Sequence, residues 1–216
     1  MATVTVGDRT AQLPIVTGTA GVPSVDFSTF TRQTGHTSLD YGFVNTSATK
    51  SAITFIDGDQ GILRYRGYPI EQLAKHSTYL EVAWLLLNGE LPTPDELAEW
   101  DDKIRHHTLL HEDLKRFFPS LPHTAHPMSV LSAATAALST YYEGQSDPNN
   151  PEHVKLNTIR LLAKLPVIAA YAHKKSIGQA FLYPDNSLSF VDNFLKLNFG
   201  NLAEIYEVNP VTSRAL

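Results

Sequence analysis

The spacing of apolar positions changes twice along this chain. Thr3–Val6 and Thr10–Val16 alternate as strands do, with Gly7-Asp8 between them. A polar, glycine-bearing stretch follows to about Tyr41. Ile53–Ile56 is a short apolar run and Ile62–Arg66 alternates apolar with basic, so Asp57-Gly58-Asp59 predicts a tight hairpin turn with positive φ. Gly67 breaks the second strand and Pro69 opens a helix. Beyond that point the period is helical. Thr78-Tyr79-Leu80-Glu81 and Thr93-Pro94-Asp95-Glu96 both read as capping boxes, and Asn88-Gly89 ends the first of their helices. In the second, Leu97, Trp100, Ile104 and Thr108 recur at helical spacing. His111–Phe118 predicts a short helix stopped by Pro119.

Two longer helices follow. Pro127 begins one that runs toward Gly144, and its middle, Met128 to Leu138, is apolar nearly all round. Asn150-Pro151 begins the longest, to about Ser176, with a kink expected at Pro166. Its first half carries a polar stripe at His153, Asn157, Arg160 and Lys164, while Val167–Ala172 has almost no polar face. Ser189–Phe199 and the start at Asn209-Pro210 complete the series. The fold class is therefore mainly α with a small N-terminal β region of hairpins. The division falls at residues 1–66 and 67–216.

Composition narrows the function. A net charge of -5 with no basic block argues against nucleic acid. The absence of cysteine excludes disulfides. No secretory signal is visible, and no run approaches the ~18 apolar residues of a membrane span. A soluble cytoplasmic protein is the plain expectation.

An ordered set of words then carries a family likeness. Residues 53–73 (Ile-Thr-Phe-Ile-Asp-Gly-Asp-Gln-Gly-Ile-Leu-Arg-Tyr-Arg-Gly-Tyr-Pro-Ile-Glu-Gln-Leu), Asp40-Tyr41-Gly42-Phe43, Glu81–Gly89, Arg105-His106-His107-Thr108, His126-Pro127-Met128, Ser176-Ile177-Gly178-Gln179 and Tyr206-Glu207-Val208-Asn209-Pro210 resemble the N-terminal half of a bacterial citrate synthase. The first 35 residues match less firmly but are similar to the extension of the longer bacterial form. The resemblance implies a citrate synthase-like helical fold and a transferase of the tricarboxylic acid cycle. That enzyme condenses acetyl-CoA with oxaloacetate and water to citrate and CoA, without a tightly bound cofactor. It also implies a homodimer or homohexamer, with the two helices lacking a polar face packed against their twins. No catalytic residue is assigned, because the family's His and Asp residues are expected beyond Leu216, and the chain alone is expected to be inactive. The same-fold alternative is 2-methylcitrate synthase, acting on propionyl-CoA and disfavoured by the N-terminal extension. A non-catalytic helical regulatory or oligomerisation module is the alternative from another class.

Candidate sites are few. By the resemblance, His107, Thr108, Tyr142, Arg160 and Lys164 correspond to an allosteric NADH site. Three departures, at His106, Leu109 and Ala203, weigh against strong inhibition by NADH. His107 and His111 are spaced to share a helix face, with His106, His123 and His126 nearby. No His-Glu-x-x-His word accompanies them, and surface or capping histidines are expected instead of a metal site. Arg64 and Arg66 flank Tyr65 on a strand, which would place both on one side as a solvated pair. Asp57-Gly58-Asp59 lacks the later ligands of a calcium loop.

Overall fold

The computed structural model describes residues 1–216. The chain divides into two compact units, one of residues 1–78 and 82–91, the other of residues 79–81 and 92–216. All strands lie in the first.

In that unit β1 (Ala2–Val6) and β2 (Arg9–Leu13) pair antiparallel with Val6 opposite Arg9, leaving Gly7 (φ +60°) and Asp8 as a two-residue loop. The second strand ends at Leu13, earlier than its apolar run, because Pro14 has no N–H to continue a ladder. Ile15–Val16 becomes a separate strand, β3, paired with β4 (Ser24–Val25). The polar stretch also hides a short helix, α1 (Phe30–Thr34), closed by Gly35 at φ 75°. Its Phe30 joins Ala11 and Leu13 in a small core. The Gln33 side-chain amide receives the Gln12 N–H (3.0 Å) and donates to the Gln12 carbonyl (3.3 Å), as a neighbouring strand would.

Next come β5 (Thr54–Asp57), β6 (Ile62–Tyr65) and β7 (Tyr68–Pro69) in one antiparallel sheet. Asp57 lies opposite Ile62, so the first loop has four residues. Its positive φ falls at Gly61 (66°), not at Gly58 as the Asp-Gly-Asp spacing suggested. The Asp57 carboxylate instead accepts the Gln60 N–H at 3.0 Å and shapes the loop by side chain. The second loop is Arg66-Gly67, both at positive φ (50° and 92°), as a type I′ turn requires. Arg66 therefore lies outside the strand and does not share a side with Arg64. Its Nε and Nη2 both donate to Leu86 O, at 3.2 and 2.6 Å. Two helices follow, α2 (Ile70–His76) and α3 (Tyr79–Asn88), the latter ended by Gly89 at φ 98°.

The second unit is helical. α4 (Pro94–Arg105) begins in the expected capping box: the Glu96 N–H donates to the Thr93 hydroxyl and the Glu96 carboxylate accepts the Thr93 N–H. The helix expected over His111–Phe118 is only α5 (Glu112–Lys115), followed by a 3-10 turn at Phe118–Ser120, where Pro119 fits the first turn. α6 (Pro127–Ser139) buries Val130, Ala134 and Leu138 at four-residue spacing. Its opposite side exposes Met128, Ser132, Ala133 and Ala136. α7 (Pro151–Ser176) runs unbroken through Pro166. It packs against α4, α6 and α8 (Phe190–Phe199), and α9 (Pro210–Ala215) packs on α8.

The apolar half of α7 is buried by this chain itself. Val167, Ile168, Ala170 and Tyr171 are at most 1% exposed, so the expected self-association surface at Val167–Ala172 is not available. The ring of Tyr171 stacks on Phe181 at 4.5 Å, and Phe118 meets both rings edge-on at 5.7 Å. Such aromatic packing accounts for the missing polar face without a second molecule. No helix is long and apolar enough to cross a membrane.

The two hairpin glycines differ in a testable way. Gly61→Ala should destabilise the chain by about 1 kcal/mol, because alanine disfavours positive φ. Gly58→Ala, with open space around its Cβ and no positive φ, should be neutral or gain a few tenths of a kcal/mol. Thermal or urea unfolding of the two variants gives the comparison.

Candidate functional site

The five residues singled out for an anion converge where the end of α4 meets α7. His107 Nδ1–H donates to Lys103 O at 2.6 Å and the Thr108 hydroxyl donates to Arg105 O at 3.0 Å. Both use local carbonyls that α4 leaves without an intrahelical donor. From α7, Lys164 Nζ donates to His107 O at 2.6 Å and to Leu109 O. One turn earlier, the Arg160 guanidinium lies 3.9 Å over the Tyr142 ring. It donates to Asn157 Oδ1 (3.1 Å) and Gln145 Oε1 (2.7 Å), and Asn157 donates to Gln145 O at 2.6 Å.

The polar stripe of α7 is thus turned inward. Lys164 is 4% exposed, and no carboxylate forms an ion pair with it or with Arg160. Burial, and secondarily the Arg160 charge, push the Lys164 ammonium down to about 8. Burial pushes the Tyr142 hydroxyl up, with Arg160 acting in the other direction. Chemically the cluster holds two cations close together, both with donors committed to neutral oxygens.

The histidines do not assemble. α4 ends at Arg105 and His111 is the N-cap of α5, so His107 and His111 share no helix face. No three His, Cys, Asp or Glu side chains converge to hold a metal. Arg64 is exposed, and Arg66 serves the end of α3. The Asp57 carboxylate is held within its own loop.

Two features were not foreseen. Lys174, 1% exposed, donates to Gln179 Oε1 at 2.6 Å and to Gly200 O, the residue that ends α8. Burial lowers its proton affinity. In sequence it looks like one of two lysines finishing a helix. The available signal is its register, seven and three residues after Val167 and Tyr171 on the buried side. Gly200 is equally constrained: a Cβ there would lie 2.7 Å from Lys196 O and 3.0 Å from Leu182 Cδ1. The second feature is a latch between α5 and the segment before α8. Lys115 Nζ sits 3.8 Å from the Tyr183 ring centroid and 3.2 Å from the Glu112 carboxylate, which also accepts the Tyr183 hydroxyl at 2.9 Å. Pro119, His123, Lys175, Gly178, Gln179, Ala180 and Phe181 line an open cavity of about 250 Å³.

Fold and site together define a mainly helical scaffold whose buried cations brace its own chain. A family model for citrate synthase (C-terminal domain) matches residues 42–216. The chain belongs to the citrate synthase family. It is 58% identical over 204 residues to citrate synthase 1 of Mycobacterium tuberculosis, covering 94% of this chain and 47% of that protein. It is 47% identical over 205 residues to the citrate synthase of Corynebacterium glutamicum, covering 95% and 47%. The crystal structure of citrate synthase from Pyrobaculum aerophilum superposes with a TM-score of 0.69 at 32% identity, over 99% of this chain and 49% of that one. The chain spans about half the length of the curated relatives it matches.

Lys164 gives a pH prediction with a defined sign. Its folded-state value near 8 lies below the ordinary lysine value of 10.5, so between those values the unfolded chain binds more protons. Its contribution to unfolding free energy should therefore rise with pH, by about 2 kcal/mol from pH 8 to 10. Lys164→Met should remove that rise, read as the difference between wild-type and variant urea midpoints across the window.

Proposed function

We propose that this chain is the scaffold portion of a citrate synthase, the enzyme that condenses acetyl-CoA with oxaloacetate and water to citrate and CoA. One observation carries the reading: 58% identity to a citrate synthase across nearly the whole chain. The matched relatives are named citrate synthases, which favours acetyl-CoA over the propionyl-CoA of a 2-methylcitrate synthase. The reaction needs a base for a weakly acidic methyl group, donors for the developing enolate oxygen, and cations for two carboxylates. Within residues 1–216 Arg160, Lys164 and Lys174 are committed to neutral oxygens of their own chain. We assign no catalytic residue here, and no tightly bound cofactor. The mild negative charge and helical surface suit small-molecule substrates and copies of the same chain, in the cytoplasm, better than nucleic acid or membrane.

The cluster of His107, Thr108, Tyr142, Arg160 and Lys164 is proposed as a brace. A phosphate would have to displace Gln145 and Asn157 from Arg160, and two main-chain carbonyls from Lys164. That argues for weak NADH binding. The pure 216-residue chain, given acetyl-CoA and oxaloacetate, should release no thiol. Joined to the remaining half of the Mycobacterium tuberculosis relative, it should release thiol at a rate that NADH leaves unchanged. Turnover by the chain alone would place the chemistry within it and overturn the scaffold reading. Turnover by the joined protein only with propionyl-CoA would replace the substrate.

A homo-oligomer is proposed through α6, the surviving one of the two expected surfaces. Its exposed Met128 (62%), Ser132, Ala133 and Ala136 form one face of small residues beside one flexible, adaptable side chain. Sedimentation should give a dimer or larger species, and Ala133→Glu should shift it to monomer at least tenfold in concentration. A wild-type monomer at every concentration would rule this face out.

A further inference from the structure

The starts of α4 to α9 each have a side chain accepting a first-turn N–H. Four of the acceptors are oxygens that do not titrate: Thr93, Asn150, Ser189 and Asn209. The other two are imidazoles. His111 Nδ1 accepts the Asp113 N–H at 3.1 Å to start α5, and His126 Nδ1 accepts the Met128 N–H at 3.2 Å to start α6. Histidine is not among the usual capping residues. Pro127 supplies no N–H, so the Met128 amide is the first donor α6 has. An imidazole nitrogen accepts only when it carries no proton. Both rings must therefore be neutral with the proton on Nε2.

The other histidines of the region have the opposite arrangement. His106, His107 and His123 each direct Nδ1 at a carbonyl, of Asp102 (2.8 Å), Lys103 (2.6 Å) and Lys175 (3.1 Å). A carbonyl can only accept, so these rings carry the proton on Nδ1 and keep their bonds when doubly protonated. Acid thus separates the five. Three bonds survive it and two cannot. We propose that His111 and His126 are acid-released caps, so that lowering the pH loosens the starts of α5 and α6 while the other capped helices stay anchored.

The two caps are not equal. Around His111, the Asp113 carboxylate lies 3.7 Å from Nδ1, Glu112 is adjacent, and the ring lies 4.7 Å from that of Tyr141 in the turn after α6. Lys115 and the Tyr183 hydroxyl also contact the Glu112 carboxylate. Arg116 pairs with the same Asp113 at 3.1 Å. An imidazolium at His111 therefore exchanges its lost cap for a carboxylate and an aromatic face. His126 has no such compensation. It belongs to no ion pair, and α6 has no ionisable side chain from Pro127 to Ser139. The nearest titratable group in its segment is His123, held to Lys175 O. A proton on His126 leaves a positive ring at the positive end of a 13-residue helix. The larger response belongs to α6.

Nitrogen NMR and amide exchange on the chain test this directly. Near neutral pH, His111 and His126 should show the Nε2–H form, and His106, His107 and His123 the Nδ1–H form. On acidification through the imidazole range, exchange protection corrected for intrinsic rates should fall about fivefold at Met128 and Val130, a typical cap's worth. It should fall less at Asp113, and stay unchanged at Glu96 and Asp192. His126→Asn should hold protection at Met128 constant, because an asparagine caps at every pH. A proton on Nδ1 of His126 in the wild-type spectrum overturns the proposal. So does unchanged protection at Met128, or an equal loss at Glu96 and Asp192.

Discussion

Every helix ends with carbonyls that its own backbone cannot satisfy, and a compact chain must find donors for them. Here three cations from distant sequence donate to carbonyls at or just past helix ends. Arg66 reaches Leu86 O in the last turn of α3. Lys164 reaches His107 O and Leu109 O just past α4. Lys174 reaches Gly200 O at the close of α8. A positive charge at the negative end of a helix dipole is favourable, and more so where water is excluded. That gain offsets part of the penalty of burying a lysine with no carboxylate beside it.

The arrangement makes α7 the organiser of the second unit. Its two buried ammonium groups tie down the outlets of α4 and α8, ten residues apart on one helix. Between them Val167, Ile168 and Tyr171 supply the apolar contacts with α6 and the Phe118–Phe181 aromatic group. Pro166 sits in the middle without ending the helix. The bond lost there, to the Leu162 carbonyl, is one of some two dozen, and the surrounding packing holds the remainder in line.

Local chemistry was readable where it involved neighbours in sequence. The Thr93 box, the Asn150-Pro151 start and the Gly89 stop depend on a few adjacent residues, and each lies where its spacing placed it. Readings failed where a distant partner decided. Nothing near Arg66 announces that Leu86 O will hold it at positive φ. Asp57-Gly58-Asp59 looks like the turn, yet the tight position is Gly61, because the four-residue loop moves it. The apolar second half of α7 invited a second molecule, while the rings that cover it come from Phe118 and Phe181, elements too irregular to show a period. For the candidate site, helical spacing correctly grouped Asn157, Arg160 and Lys164. Whether that stripe met solvent, phosphate or carbonyls depended on where the loop after α4 lies, which no local pattern encodes. Lys174 was missed for the same reason.

The Gln33 amide, docked on both polar groups of Gln12, has a consequence for the behaviour of the chain in company. The outer rim of a two-stranded ribbon is a template on which another extended polypeptide can add by main-chain bonding. With a side chain already seated there, the rim offers an incoming strand no free donor–acceptor pair at that point. A single glutamine thus occupies one point on the open edge of β2, at the cost of ordering one flexible side chain.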